Sequence, residues 1–136
     1  MTRGELWWAD LGIPFGSEPG YKRPVLIVQN DFLNKSKINT TIVVPLTTNM
    51  IFADAPGNIL ITKSESKLKK DSVITVSQTG VIDRRRIIEK ITKLDRALVE
   101  KVGNSIMFIL GIKELAFELK ELAGYFGKPD FNINTD

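Results

Sequence analysis

Two residue types are missing from this chain of 136 residues, which contains no histidine and no cysteine. A zinc site built on imidazole or thiolate ligands is therefore excluded. A Ser-His or Cys-His nucleophile is excluded as well, and so is a ribonuclease that works through a pair of histidines. Any hydrolytic chemistry must use carboxylates, arginine, lysine, hydroxyls or backbone groups.

Long apolar runs are also missing. The longest, Ile106 to Leu110, is far shorter than the roughly 20 residues that a membrane helix needs. Glu5 and Asp10 interrupt the early apolar run, so we expect no signal peptide, a cytoplasmic location and no membrane partner. Neither the GxGxxG nor the GxxxxGK[ST] pattern occurs, which removes these nucleotide-binding fingerprints.

The composition is that of an ordinary globular protein. Hydrophobic residues make up 43% and charged residues 26%, and the length suits a single domain over residues 1–136 with a substantial core. Nineteen lysines and arginines against 16 acidic residues give a net charge of +3. This mild excess permits a polyanionic partner without requiring one.

The first two thirds of the chain contain short segments rich in β-branched residues, which predict a small barrel or sandwich of strands. The predicted strands cover residues 5–10, 24–28, 41–48, 58–62, 72–78 and 87–91. Residues 12–21 have three glycines and two prolines and predict a loop, and residues 30–35 suit a helical turn. Strand alternation puts Trp7 and Trp8 on opposite faces of the strand. We therefore expect one of them to lie in the core. For the other we favour packing in a dimer interface over stacking on a base.

The last third changes to a helical period. Asp95 is a suitable N-cap, and Leu98, Val102 and Ile106 recur at helical spacing after it. Gly111 either ends this helix or weakens it. The spacing continues through an apolar stripe at Leu115, Leu119 and Leu122. We therefore divide the domain into a barrel over residues 1–93, a helical segment over 94–124 and a polar tail over 125–136.

Several motifs are specific in combination. The chain reads RGELWWADLG from Arg3, GSEPGYKRPVLIVQND from Gly16 and TIVVPLTTN from Thr41, followed by DSVITVSQTGVIDRRR from Asp71 and ITKLD from Ile91. Their order and spacing, over about residues 2–112, resembles the MazF/Kid (PemK-type) toxins of bacterial toxin–antitoxin modules.

The resemblance implies a fold and an activity. The fold is mainly β with a C-terminal helix (α+β), an SH3-like, CcdB-like small barrel of antiparallel strands that forms a homodimer. The activity is sequence-specific cleavage of single-stranded RNA without metal or other cofactor, leaving 2′,3′-cyclic phosphate and 5′-hydroxyl ends. A cognate antitoxin occupies the RNA groove, and operator DNA of the module is contacted only through that antitoxin.

The residues suit this chemistry, because RNA carries its own nucleophile in the 2′-hydroxyl. The resemblance assigns catalytic roles to Arg23 and Thr47. The forked donors of Arg23 suit a phosphate that gains charge, whereas a guanidinium is a poor proton donor. Thr48 faces the opposite side of the strand, and a one-residue shift in the comparison would exchange the two threonines.

Glu18 matches an acidic residue of the family. It either accepts the proton of the 2′-hydroxyl or holds Arg23 in place. We favour the holding role, because a neighbouring guanidinium makes a carboxylate a weaker base.

The predicted RNA-binding residues lie in the glycine-rich loop, at strand ends and in the basic turn. They are Phe15, Ser17, Tyr21, Lys22, Thr48, Gln78, Arg84 and Arg85. Ser17 stands where some family members have histidine. Phe15 either stacks on a base or anchors the loop, and Gln78 either reads a base edge or closes a sheet edge. Lys22, Arg23 and the run from Arg84 to Arg86 are also the predicted anionic contacts for the antitoxin.

This chain departs from the family at charged positions. Thr75 and Ser77 stand where some members carry a catalytic arginine and aspartate, and Gly80 stands where many have arginine. The run from Arg84 to Arg86 is a candidate substitute for phosphate contacts. These departures keep open a second hypothesis, a degenerate member that only binds RNA or antitoxin. A third, a CcdB-like gyrase poison, is disfavoured because such toxins act through a C-terminal Trp-Gly-Ile and this chain ends Asn134-Thr135-Asp136.

Overall fold

The computed structural model describes residues 1–113, which form a strongly bent antiparallel sheet with one long helix against it. The seven strands are β1 (Glu5–Asp10), β2 (Lys22–Ile27), β3 (Thr40–Thr47), β4 (Ile59–Ile61), β5 (Ser72–Ile74), β6 (Gly80–Asp83) and β7 (Ile87–Lys93). The helices are α1 (Asp31–Asn34), α2 (Lys63–Ser66) and α3 (Arg96–Ile109), with short 3₁₀ turns at Met50–Asp54, Val76–Gln78 and Arg84–Arg86. The small mainly-β fold with a C-terminal helix is the predicted class. No helix in the described part of the chain is long and apolar enough to cross a membrane.

Strand β3 organises the sheet. The strand order is β4-β5-β3-β2-β1-β7, and β6 pairs with β3 as a branch. Thr40 to Val43 pair with β6, whereas Leu46 and Thr47 pair with β5. Pro45 lies between these two pairings and has no N–H to donate. The partner of β3 on this edge therefore changes at Pro45, from β6 to β5, and the segment that connects β5 to β6 leaves the sheet at this point.

The two faces of the sheet carry different clusters. The larger core contains Leu6, Leu26 and Val44, and α3 covers it with Val99 and Val102. The opposite face carries a smaller cluster whose buried members are Ala9, Val25, Ile27 and Val43. The candidate site residues also divide between these two faces.

The RGExW motif forms a network of hydrogen bonds and an ion pair around Glu5. Glu5 is buried and accepts hydrogen bonds from the Thr2 N–H at 2.7 Å and the Trp7 indole at 3.2 Å, with the Lys90 ammonium at 2.9 Å. Burial raises the pKa of Glu5, but these hydrogen bonds and the charge of Lys90 outweigh it and lower the pKa to about 2. Gly4 has a φ of +94° and lies against Val99 of α3, a conformation that favours glycine.

The C-terminal helix begins as predicted, with Asp95 at the N-cap position and Leu94 buried in front of it. It ends at Ile109, and Gly111 follows in the left-handed region with a φ of +72°. Gly111 thus lies beyond a helix end rather than within a continuous helix. The predicted stripe of Leu115, Leu119 and Leu122 and the tail over 125–136 lie outside the described residues.

Three sequence predictions were wrong in detail. The strand predicted over residues 72–78 ends at Ile74, because the N–H and the hydroxyl of Thr75 both donate to the Pro45 carbonyl, at 3.0 and 2.5 Å. Strand β6 was not predicted. Neither Trp7 nor Trp8 is fully buried: Trp7 packs at the edge of the smaller cluster, and Trp8 is half-buried on the other face.

Candidate functional site

A groove of about 600 Å³ lies on the face of the smaller cluster. Val43 and Pro45 of β3 form its floor, and three other parts of the chain form its walls. The wall residues are Leu11, Ser17, Glu18 and Pro19 of the glycine-rich loop, Gln78 to Ile82 around the start of β6, and Arg86. The groove combines an apolar floor with polar and charged walls.

The loop between β1 and β2 is closed by its own backbone. The Tyr21 N–H donates to the Gly12 carbonyl at 2.6 Å, and the Leu11 N–H donates to the Tyr21 carbonyl at 2.9 Å. Gly20 lies directly against the ring of Pro14, where an added Cβ would be 2.4 Å from Cδ of the proline. Only glycine fits this contact, which fixes the loop in the shape that forms one wall of the groove.

Arg23 lies at the base of this loop. Its side chain is half-buried, and Nε donates to the Gly20 carbonyl at 2.9 Å. Within residues 1–113 its two terminal nitrogens have no other hydrogen bond. Glu18 is exposed on the groove wall, and over the same residues it makes no ion pair with Arg23, so the favoured holding role for Glu18 is not what the structure shows.

Thr47 and Arg23 share one face of the sheet. Val25 of β2 lies directly opposite Pro45 of β3 in the last pair of that ladder, and by alternation beyond it Arg23 falls on the face of Val25 and Thr47 on the face of Pro45. Neither Arg23 nor Thr47 is part of the groove lining, and Thr47 and Thr48 both line a second pocket. The Thr47 hydroxyl accepts the Asn49 N–H at 3.2 Å and keeps its own proton for donation. Thr48 is exposed and belongs by alternation to the other face.

The segment after β5 is tied down by structural hydrogen bonds. Thr75 is buried, and its hydroxyl is engaged by the Pro45 carbonyl. Ser77 donates from its N–H at 3.1 Å and from its hydroxyl at 3.2 Å to the side-chain oxygen of Asn58. Gln78 donates to the Ser17 carbonyl at 3.3 Å and so joins this segment to the loop wall. Thr75 and Ser77 therefore have scaffold roles in this chain.

The three arginines of the basic turn point to three places. Arg84 donates to the Leu33 carbonyl at 3.1 Å, beside α1. Arg85 pairs with Asp83 at 3.0 Å; its hydrogen bonds hold the pKa of Asp83 down to about 2 and raise the pKa of Arg85. Arg86 lines the groove and donates to the Asp10 carbonyl at 3.2 Å. Of the run, Arg86 lines the groove, whereas Arg84 and Arg85, the two predicted RNA contacts, lie outside it.

The remaining predicted contacts lie outside the groove. Lys22 is on the opposite face of β2 from Arg23, with its ammonium 5.7 Å from the centre of the Trp8 ring. Phe15 and Tyr21 are exposed at 85% and 64% on the loop, so Phe15 does not anchor the loop on the core. The structure thus brings together Ser17, Glu18 and Gln78.

The groove offers little to a metal ion. Among residues 1–113, the lining contains a single carboxylate, that of Glu18, together with the guanidinium of Arg86. In the described part of the chain, no three His, Cys, Asp or Glu residues gather closely enough to hold a metal. The arrangement instead offers guanidinium, hydroxyl, amide and carboxylate groups, which can bind a phosphate and move a proton.

Comparison with known proteins identifies the family of this chain. The profile of the PemK-like, MazF-like toxins of type II toxin–antitoxin systems matches residues 2–110. Endoribonuclease MazF2 of Mycobacterium bovis and endoribonuclease MazF6 of Mycobacterium tuberculosis are each 31% identical over 112 residues, which cover 82% of this chain and 98% of the relative. The chain therefore belongs to the PemK-like, MazF-like toxin family.

Solved structures show the same fold. A mycobacterial endoribonuclease in complex with its cognate antitoxin superposes with a TM-score of 0.67 at 19% identity, covering 85% of this chain and 99% of the other. MazF from Deinococcus radiodurans gives a TM-score of 0.68 at 20% identity, covering 82% and 96%.

Proposed function

We propose that this chain is a sequence-specific endoribonuclease toxin that cleaves single-stranded RNA without metal. Family membership and the names of the curated relatives support the reaction class. The single observation that carries the site is the availability of two donors: within residues 1–113, Arg23 keeps its two terminal nitrogens and Thr47 keeps its hydroxyl proton free of hydrogen bonds.

The reaction runs by attack of the 2′-oxygen on the adjacent phosphorus. The P–O bond to the 5′-oxygen breaks, which leaves a 2′,3′-cyclic phosphate and a 5′-hydroxyl that takes its proton from solvent. Glu18 accepts the 2′-hydroxyl proton, since it is exposed on the groove wall and unpaired with Arg23. Arg23 and Thr47 donate to the phosphate oxygens as charge builds on them.

Specificity resides in the groove walls. Gln78, just before β6, and Ser17 of the loop are joined by a hydrogen bond in the groove wall, and amide or hydroxyl groups in such places can read base edges of an unstacked strand. Arg86 supplies a phosphate contact at the other wall. Phe15 and Tyr21, exposed on the loop, provide stacking surfaces for flanking bases.

The toxin acts as a homodimer and is neutralised by a cognate antitoxin. The mycobacterial relative crystallised with its cognate antitoxin supports this partner. An extended acidic segment lying in the groove would compete with RNA for the same basic residues. Operator DNA is reached only through the antitoxin.

A second candidate function has its own observation. Thr75 and Ser77, which stand where some family members carry catalytic charges, are used here for scaffold hydrogen bonds to Pro45 and Asn58. A chain that lacked enough catalytic groups would bind RNA or antitoxin without cutting. The two functions differ in one assay, incubation of a long single-stranded RNA with the protein in EDTA.

Cleavage in EDTA is expected, with 5′ ends that a polynucleotide kinase labels without prior dephosphorylation and 3′ ends that carry a cyclic phosphate. Arg23→Ala is expected to slow cleavage by about 10²-fold or more, the scale for losing one transition-state donor. Arg96→Ala, which removes an exposed arginine on α3, is the matched control and should cut normally. An intact RNA after prolonged incubation with wild-type protein would select the binding-only function.

A further inference from the structure

Asn58 lies in the connection between β3 and β4, and its side chain joins two other segments. Its Nδ2 donates to the Phe52 carbonyl at 3.0 Å, in the 3₁₀ turn that follows β3. Its Oδ1 accepts the N–H of Ser77 at 3.1 Å and the hydroxyl of Ser77 at 3.2 Å, in the 3₁₀ turn that follows β5. One amide side chain therefore fixes the turn after β3 relative to the turn after β5.

The orientation of this amide is set by its partners. A carbonyl can only accept a hydrogen bond and a backbone N–H can only donate one, so the amide nitrogen faces Phe52 and the amide oxygen faces Ser77. An aspartate at position 58 would have the same shape, but it would bring a second acceptor against the Phe52 carbonyl. Among side chains of this shape, asparagine is the one that satisfies both turns.

The backbone that carries Asn58 is held on both sides. Gly57 is buried against the end of α3 with a φ of +87°, and an added Cβ would lie 3.0 Å from Cδ1 of Ile109. On the other side, Ile59 begins β4 and belongs to the larger core. Because its backbone is fixed in this way, the Asn58 side chain is a firm anchor for Ser77.

The anchored turn carries part of one wall of the groove. Gln78, the neighbour of Ser77, lines the groove and donates to the Ser17 carbonyl of the glycine-rich loop at 3.3 Å. Ser77 itself is exposed, and over residues 1–113 its N–H and its hydroxyl both have Asn58 as their partner. Asn58 is not part of the groove lining. The position of Gln78 against the loop thus depends on an amide that stands behind the wall.

We propose that Asn58 is a positioning residue for RNA binding. Through Ser77 it holds Gln78 against the glycine-rich loop, and so it keeps the groove at the width that receives a single strand. None of the described hydrogen bonds of Asn58 involves Arg23 or Thr47, the donors proposed to act on the phosphate. Loss of the Asn58 amide therefore weakens substrate binding and leaves the chemical step unchanged. The inference rests on the proposed function, in which this groove receives RNA.

The main test compares Asn58→Ala with wild type in steady-state cleavage of a long single-stranded RNA in EDTA. KM should rise by about three- to tenfold, the range for losing one or two hydrogen bonds, while kcat stays within about twofold. A strand of the same base sequence with 2′-deoxyribose throughout lacks the nucleophile, and its affinity, measured by fluorescence anisotropy, should fall by the same factor. Asn30→Ala is the matched control, because Asn30 is an exposed asparagine that caps α1 through the Phe32 N–H at 2.8 Å. It should leave both constants within about twofold of wild type.

A second variant separates positioning from a general loss of stability. Ser77→Ala removes only the hydroxyl bond to Asn58 and should raise KM by about two- to threefold. Because that hydroxyl acts through Asn58, the double variant should be no worse than Asn58→Ala alone. Exchange of the Ser77 N–H with solvent, followed by NMR, should accelerate by at least about threefold in Asn58→Ala.

Three results would overturn the positioning role. In the first, Asn58→Ala has the KM and the deoxy-strand affinity of wild type. In the second, kcat falls while KM is unchanged, which would place Asn58 in the chemical step. In the third, the effects of Asn58→Ala and Ser77→Ala on KM add in full, which would show that the two residues act separately. Deoxy-strand binding and amide exchange do not require cleavage, so a wild-type protein that cuts no RNA would contradict the proposed function while these two measurements still decide the role of Asn58.

Discussion

Glu5 is the group whose charge contributes most clearly to stability, and Glu5→Gln tests how much. The substitution keeps the shape of the side chain and its acceptor oxygen toward Thr2 and Trp7, but it removes the charge opposite Lys90. A carboxyl whose pKa falls from its ordinary 4.5 to about 2 contributes on the order of 3 kcal/mol to folding at neutral pH. We therefore expect Glu5→Gln to lower the free energy of unfolding at pH 7 by about 2–3 kcal/mol.

The sign of the pH dependence follows from the direction of the shift. The pKa of Glu5 is lower in the folded state, so its contribution is fully present above about pH 4.5 and is lost as the pH falls toward about 2. More than half of the difference between wild type and Glu5→Gln should disappear between about pH 5 and about pH 3. Asp31, whose pKa is also lowered, by the Arg3 N–H and the Asn34 amide, titrates in both proteins and cancels from the difference.

The assay is urea unfolding at a fixed protein concentration, followed by tryptophan fluorescence across that pH range. Glu100→Gln is the matched control, because Glu100 makes an exposed pair with Arg96 on α3 and should cost less than about 0.5 kcal/mol. If Glu5→Gln were as stable as wild type at pH 7, or if its deficit were the same at every pH, the structural role assigned to the buried carboxylate would be refuted.

Three further predictions concern the site and the assembly. Thr47→Ala should slow RNA cleavage more than Thr48→Ala, because the family motif assigns the catalytic role to Thr47 and its hydroxyl keeps a proton for donation; the reverse order, measured by initial rates, would show that Thr48 is the catalytic threonine. Gly20→Ala should force its Cβ against Pro14, lower the free energy of unfolding by about 1–3 kcal/mol and reduce cleavage. A variant with wild-type stability and cleavage rate would show that the Gly20–Pro14 contact does not fix the loop wall. Light scattering at micromolar concentration should give the mass of a dimer, and a monomer would contradict the proposed assembly.

The strands predicted from runs of β-branched residues are those that pair with neighbouring strands along their full length. Strands β1, β2 and β3 lie within two residues of their predicted bounds, since alternation and turn residues report local structure directly. The N-cap at Asp95 was confirmed for the same reason. Strand β6 was missed because Gly80–Asp83 has only four residues and begins and ends with the strand-poor residues Gly and Asp, so that its pairing with Thr40 to Val43 defines it.

The candidate site shows the same division. The motifs located Arg23, Thr47, Glu18 and Gln78, and the structure places Glu18 and Gln78 in one groove with Ser17. Their roles stay predictions. The motifs could not show which arginine of the basic run reaches the groove. Three successive residues in a 3₁₀ turn point in three directions, so the surrounding chain decides which of them lines the groove. In this fold it is Arg86.

Residue types and the order of the motifs are enough to define the available chemistry and the family that uses it. With no histidine or cysteine, the candidate donors and acceptors are arginine, hydroxyl, amide and carboxylate groups, and the motif order identifies a PemK-like, MazF-like toxin. How these groups divide between the two faces of one sheet depends on the fold. Since side chains alternate along a strand, Lys22 and Arg23 lie on opposite faces of β2, and contacts with residues of other segments then place the Lys22 ammonium over the Trp8 ring and the Arg23 guanidinium at the Gly20 carbonyl.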